Sequence, residues 1–133
     1  MATPSTLYLS SDNAGDTQSY EIQGLDETWS YKTVTVQANG VTFVPLSGLW
    51  IRVFRVKNIG TTDNTGNIYI SDDNTDAGGN GIPDTVTAIK AMITAGFNQT
   101  LMAIWSVPDG NTKAYLTKFY ASTSSQKATE VHL

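Results

Sequence analysis

The chain alternates hydrophobic and polar residues in short runs, and clusters of Gly, Asn, Asp and Pro separate these runs. Tyr20 and Ile22 alternate with polar residues, and Val34 and Val36 alternate with threonines further along. A period of two places successive side chains on opposite faces of a strand, so one face can be buried. We therefore expect strands at 5–9, 17–24, 28–38, 49–59, 67–71, 99–107, 113–121 and 127–133, and either a strand or a single turn at 85–95.

Two turn signals predict hairpins between these strands. Asn39-Gly40 joins two β-branched runs, and Asn-Gly tolerates positive φ at both central positions of a type I′ turn. The sequence PDGN at 108–111 has Pro at the first turn position and Gly at the left-handed one. Together the runs and turns predict one all-β domain over 1–133, an antiparallel two-sheet β-sandwich. The core residues we expect are Ile22, Val34, Val36, Ile51, Val53, Leu101, Ala103, Trp105, Leu116 and Tyr120.

The most hydrophobic run, at 49–59, changes its phase in the middle. Its apolar positions switch from one face to the other between Val53 and Phe54, which predicts a bulge or burial on both faces. Simple alternation would place Arg52 on the opposite face of this strand from Arg55 and Lys57.

Composition and charge exclude several functional classes. The 133 residues are 40% hydrophobic and 15% charged, with a net charge of −4 and a pI near 4.6. Nucleic-acid binding needs clustered basic residues, and the eight here are scattered, so we expect no nucleic-acid partner. The chain has no cysteine, no secretory signal pattern and no apolar stretch near the ~20 residues that span a bilayer. We expect a protein that is made in the cytosol and does not enter a membrane.

Motifs that would indicate catalysis are missing from the sequence. The single histidine, His132, is penultimate in the chain, where a general base would lack support. No serine lies in a Gly-x-Ser-x-Gly elbow, and no Walker, dinucleotide or HExxH pattern occurs. We therefore expect a protein that is not an enzyme.

The segment 72–84 is rich in Asp, Asn and Gly, which is typical of calcium-binding loops because Ca²⁺ takes six to eight oxygen ligands. Its ending NGIPD is similar to the DGIPD ending of thrombospondin type 3 calcium repeats, although Gly78 and Asn80 replace aspartates. With those carboxylates missing, we favour a plain acidic surface loop over a weak calcium site. The candidate ligands are Asp72, Asp76, Asn80 and Asp84.

Aromatic residues provide a second candidate site. Most of the large aromatic side chains are expected in the core. Trp29 follows a turn and lies beside Tyr31, so this pair is the candidate for a partly exposed ligand-binding platform.

The segment 95–116, AGFNQTLMAIWSVPDGNTKAYL, resembles a phrase found in uncharacterised virion structural proteins of marine bacteriophages. In that family the phrase precedes a strand that ends near Tyr-Ala-Ser, as Tyr120-Ala121-Ser122 follows here. The strand layout upstream, including a GLD turn at 24–26, is similar to the same family. Two features depart from it: the acidic loop is longer, and family members continue beyond the position of Leu133.

The resemblance implies a jelly-roll-like coat, decoration or fibre protein located in the virion. Its partners would be other copies of the chain, with a homotrimer expected, and other phage structural proteins. The segment before 127 is polar, and the last strand alternates without a closing turn, so we expect it to pair at a subunit interface. The interface residues are Ala128, Thr129, Glu130, Val131, His132 and Leu133. The alternative is a carbohydrate-binding module that uses Ca²⁺ at Asp76 and Asp84 and an aromatic such as Trp29.

Overall fold

The computed structural model describes residues 3–102 together with residues 104, 113 and 115. This part of the chain is all-β, with one 3₁₀ turn at Val86–Ala88. The seven strands are β1 (Tyr8–Ser11), β2 (Ser19–Asp26), β3 (Tyr31–Gln37), β4 (Val44–Pro45), β5 (Trp50–Asn58), β6 (Ile68–Ser71) and β7 (Ile89–Ile93).

The strands form two antiparallel sheets that pack as a β-sandwich. One sheet has the strand order β4-β1-β6-β7 and the other has the order β3-β2-β5. The predicted fold class is confirmed at this level, and the predicted strands between 17 and 71 lie within two or three residues of the observed ones. The segment 85–95 contains both structures we considered, a 3₁₀ turn followed by β7. The turn at 108–111 and the strand at 127–133 lie outside the described residues, and so does 113–121 apart from residues 113 and 115. In the described part of the predicted strand at 99–107, only an isolated bridge at Gln99 is present.

The core lies between the sheets, where the alternating residues of each strand meet. Tyr20 and Ile22 of β2 are fully buried and pack with Leu9, Ile70 and Trp50 in one cluster. The predicted core residues Ile22 and Val53 are buried, Val34 and Val36 pack against the cluster at its margin, and Ile51 is half-buried. Ala103, Trp105, Leu116 and Tyr120 lie outside the residues that the structure describes.

One predicted core residue is wrong, because Leu101 is 78% exposed. Gln99 pairs with Lys57, whose side chain lies on the outer face of the sheet. Side chains two residues apart lie on the same face, so Leu101 lies on the outer face as well. The sequence pattern around Leu101 is apolar on both faces, and only the pairing with β5 decides which side is buried.

The predicted bulge in β5 is confirmed. Gln23 pairs with Arg55, and its neighbour Gly24 pairs with Val53, so Phe54 is the extra residue. A Cβ at Gly24 would overlap the carbonyl oxygen of Arg52, because the irregular strand approaches β2 closely there. Glycine is therefore required at the centre of β2 for the bulge to form.

The bulge corrects our assignment of the basic residues to strand faces. Arg52, Arg55 and Lys57 are paired with Leu25, Gln23 and Glu21, which all lie on the outer face of β2. All three cations therefore lie in one row on the outer face. Simple alternation would put Arg52 on the inner face, but the extra residue Phe54 shifts the alternation by one position.

The Asn39-Gly40 turn exists, but the hairpin predicted there is wrong. The Thr42 amide donates to the carbonyl of Asn39 at 3.1 Å, and Gly40 has φ +56°. Among the described non-glycine residues only Trp29 has positive φ, so this is not a type I′ turn. β3 and β4 belong to different sheets, and the turn therefore carries the chain from one sheet to the other.

A buried carboxylate joins two loops at one end of the sandwich. Asp16, which is fully buried, accepts hydrogen bonds from the Ser11 hydroxyl at 2.7 Å and from the amides of Thr65 and Gly66, both at 2.8 Å. Burial, followed by the nearby Asp16 charge, raises the pKa of Tyr20. These contacts fix the loop after β1 against the loop before β6.

Candidate functional site

The acidic loop 72–84 is anchored on the sandwich at Gly81 and Pro83, whereas most of its other residues are exposed. Gly81 is buried with φ +77°, and a Cβ there would overlap the carbonyl oxygen of Ser11. Pro83 is fully buried. The glycine allows the loop backbone to lie directly on β1, so the plain flexible loop that we favoured from the sequence is in fact anchored at its second half.

Within the loop, the candidate calcium ligands bond to protein groups. Asp76 accepts the Gly81 amide at 2.5 Å, and Asp84 accepts the Ala77 amide at 3.0 Å. Burial alone would raise the pKa of Asp76, but the amides of residues 78–81 bring it below its usual value. Two further candidates have other partners: Asp72 forms an ion pair with Lys90 at 2.9 Å, and the Asn80 side-chain oxygen accepts the Ile82 amide at 3.0 Å.

The Asp76 carboxylate is the acceptor that the backbone amides of this loop surround. No group of three or more His, Asp or Glu side chains is placed together for a metal within the described residues. One oxygen of Asp76, Oδ1, is buried without a hydrogen-bond partner and could accept a ligand. To bind calcium, Asp76 and Asp84 would have to give up their hydrogen bonds with the backbone amides. The calcium site therefore stays a prediction.

The sequence analysis missed the residue that fixes the start of this loop. Asp73 accepts the Thr75 amide at 2.9 Å, the Thr75 hydroxyl at 2.7 Å and the Thr85 amide at 2.9 Å. The Thr75 bonds first, and then those of Thr85, hold the pKa of Asp73 well below its usual range. The Asp-x-Thr spacing was the available signal, because Asp side chains commonly bond the backbone two residues further on.

A second apolar cluster lies on the outer face of the three-stranded sheet, away from the core. It consists of Leu25, Tyr31 and Phe54, which we name the outer patch. The rings of Tyr31 and Phe54 stack with centroids 6.5 Å apart and an interplanar angle of 21°. Leu25 pairs with Tyr31 across the strands and is buried, whereas Tyr31 is 60% exposed. The bulge creates this patch, because it turns Phe54 outward beside Arg55.

Trp29, the other predicted ligand residue, lies in the loop that leads into β3. It has φ +62°, a conformation that L side chains rarely adopt, and its side chain is half-buried. The loop is held by Asp26, which accepts the Thr28 amide at 2.9 Å and the Ser30 amide at 3.0 Å. The Thr28 hydroxyl, followed by Ser30, lowers the pKa of Asp26. In the described residues Tyr31 stacks on Phe54 and not on Trp29, so the structure does not bring the predicted pair together as one platform.

A cleft of about 700 Å³ opens between the sheets where β5 and β7 face each other. Its apolar walls include Trp50, Val53 and Met102, and the Asp72–Lys90 ion pair lies at its polar side. The Trp50 indole N–H is buried without a hydrogen-bond partner. Thr3, Ser5 and Arg52 add further polar groups to the lining, so the cleft suits a ligand that has both apolar and polar parts.

The predicted interface at 128–133, including His132, lies outside the described residues. In residues 3–102, no helix has the length and apolar character needed to cross a membrane.

No family model, curated protein or solved structure matches this chain. The resemblance to phage virion proteins therefore depends on the residues quoted above.

Proposed function

We propose that this protein is a non-enzymatic structural component of a bacteriophage particle, and that it acts by self-association and by docking on other phage structural proteins. The observation that supports this proposal is the outer patch. Leu25, Tyr31 and Phe54 form an apolar cluster outside the core, at one end of the sheet. Leu25 and Phe54 are buried beneath Tyr31, which exposes 60% of its surface. Exposed tyrosine side chains are enriched in protein interaction sites.

The electrostatics of the same face suit a protein partner. Arg52, Arg55 and Lys57 form a basic row beside the patch, on a chain whose net charge is −4. Such a row attracts an acidic surface and orients it, while the aromatic pair supplies the apolar contact. The virion location and the trimer come from the family resemblance.

Light scattering of the purified full chain tests self-association, and we expect a stable oligomer with the mass of a trimer or a multiple of it. Replacing Tyr31 with Ser tests the patch. The matched control is Val86→Ser, since Val86 is also an exposed apolar side chain but lies in the 3₁₀ turn. We expect Tyr31→Ser to weaken assembly or binding to purified particles and Val86→Ser to leave both unchanged. A chain that is monomeric at its highest soluble concentration and does not bind particles would overturn the proposal.

Carbohydrate binding is the second candidate, and one observation favours it. The Tyr31 ring is held in place by Phe54 and still exposes most of its surface, as a rigid stacking platform for a sugar requires. Affinity electrophoresis in polysaccharide gels, with and without a chelator, tests this candidate. Retardation that disappears in Tyr31→Ala would support sugar binding, and retardation that disappears with the chelator would assign calcium to the acidic loop.

A further inference from the structure

Among the described residues β3 is the outermost strand of its sheet, and no strand of this part of the chain pairs with its edge away from β2. The Ala38 amide donates to the Gln18 carbonyl at 2.9 Å, and the ladder alternates from that bond. Even-numbered residues of β3 therefore bond to β2, whereas odd-numbered ones direct their N–H and C=O groups outward. The outward residues are Tyr31, Thr33, Thr35 and Gln37.

Natural edge strands are usually protected by proline, bulges, inward charges or short length. β3 has seven residues, contains neither proline nor glycine, and keeps an unbroken register with β2. Its one charge is Lys32, whose amine donates to the Ser47 carbonyl at 2.6 Å and lies 4.6 Å above the Trp50 ring. This lysine lies on the inner face with Val34 and Val36, so it is an inward charge, but it is confined to the second residue of the strand.

The other sheet edges differ from β3 within the described part of the chain. β4 has only two residues and one of them is Pro45. The far edge of β5 is bonded, because the Asn58 amide donates to the Asn98 carbonyl at 2.7 Å and the Thr100 amide donates to the Val56 carbonyl at 2.9 Å. β7 is shorter than β3 and begins directly after the 3₁₀ turn. The longest regular edge without a partner is therefore that of β3.

We propose that β3 pairs antiparallel with β3 of a second copy of this chain about a two-fold axis, with Val34 opposite Val34. The two three-stranded sheets then become one six-stranded sheet. This inference rests on the self-association in the proposed function and assigns a surface to it. A two-fold contact requires an even number of copies, so it joins two trimers into a hexamer and does not build the trimer itself.

The outward hydrogen-bonding groups fix the register. They belong to odd-numbered residues only, so an odd residue of one copy must face an odd residue of the other. Centring the pair on Val34 satisfies this rule and uses the whole strand, with Tyr31 opposite Gln37 and Thr33 opposite Thr35. This arrangement forms roughly eight backbone hydrogen bonds.

The side chains also suit this register. Thr33 and Thr35 meet across the new ladder, and threonine pairs stabilise antiparallel sheets. Val34 is half-buried at the margin of the core, and its own copy would cover it. Lys32 lies opposite Val36, so no like charges face each other. A two-fold contact uses the same surface on both copies, and β3 is complementary to itself in this sense.

Single cysteines test the contact directly, because the natural chain has none. The Cα atoms of Val34 and its copy would lie about 4.5 Å apart, within disulfide range. We expect Val34→Cys to form a covalent dimer upon mild oxidation. Val36→Cys is the matched control on the same face, since its copy would lie roughly four residues away along the ladder, or ~13 Å.

A second variant tests the edge without a thiol. Thr33→Pro removes an outward N–H that bonds to no other described residue, so the subunit keeps its ladder with β2. Light scattering should show the oligomer mass halved in Thr33→Pro and unchanged in Thr33→Val, with circular dichroism confirming retained β-structure. An oligomer that keeps its mass in Thr33→Pro, with Val34→Cys no more cross-linked than Val36→Cys, overturns the β3 contact and leaves self-association standing. A natural chain with the mass of a single trimer overturns the β3 contact alone, and a monomeric natural chain overturns both proposals.

Discussion

The buried carboxylate of Asp16 offers the sharpest test of how the sandwich is held together. Its two oxygens accept different backbone amides, Thr65 at one oxygen and Gly66 at the other, both at 2.8 Å. Replacing Asp16 with Asn changes one oxygen into an NH₂ group of nearly the same size. Either the partly buried Thr65 amide loses its acceptor, or the Gly66 amide and the Ser11 hydroxyl lose theirs, because these two share one oxygen. The remaining donors bond to a neutral oxygen in place of a charged one.

The expected loss of stability follows from these two changes. A buried donor left without a partner costs about 1–3 kcal/mol, and exchanging a charged acceptor for a neutral one costs roughly 1 kcal/mol. The neutral amide avoids part of the desolvation cost of a buried charge, which offsets some of this loss. We expect the free energy of unfolding to fall by ~2–3 kcal/mol, from a total of about 7–20 kcal/mol for a chain of this length.

Urea unfolding followed by circular dichroism measures this loss. Asp84→Asn is the matched control, because Asp84 is exposed and accepts only the Ala77 amide, which an Asn oxygen can still accept. We expect the control to change the free energy of unfolding by less than about 0.5 kcal/mol. Equal unfolding midpoints for the two variants would refute the reasoning, because the carboxylate of Asp16 would then contribute no more than an exposed one.

Two further predictions concern the bulge and the acidic loop. Gly24→Ala should lower the free energy of unfolding by at least ~2 kcal/mol, since its methyl group would overlap the Arg52 carbonyl. Thermal unfolding measures the loss as a lower Tm. A Tm equal to that of the natural chain would contradict the bulge geometry. Asp73, with its lowered pKa, stabilises the fold above its unfolded pKa of about 3.9, and this stabilisation is lost as the pH falls through the lower folded value. Asp73→Asn should therefore show a smaller fall in Tm below pH ~4 than the natural chain, and parallel curves would count against this role.

Local patterns in the sequence determined the fold class and most of the strands. The alternation around Tyr20 and Ile22 predicted their burial, because a period of two puts one face of a strand in the core regardless of its neighbours. The phase switch at Phe54 predicted a bulge for the same reason. No site could be confirmed in this way, since polar residues such as Asp76 bond to loop amides that the linear pattern does not specify.

Pairing between distant segments was decided only by the tertiary structure. Asn39-Gly40 has the local chemistry of a hairpin turn, yet β3 bonds to β2 and β4 bonds to β1, so the turn crosses between sheets. The outer patch depends on the bulge in β5 meeting the first residue of β3, which are more than twenty residues apart in the chain. Sequence periodicity determines which face of a strand is apolar. Which strands become neighbours depends on how the strands pack together around the core. The tertiary structure alone therefore places β3 at the edge of its sheet in the described part of the chain.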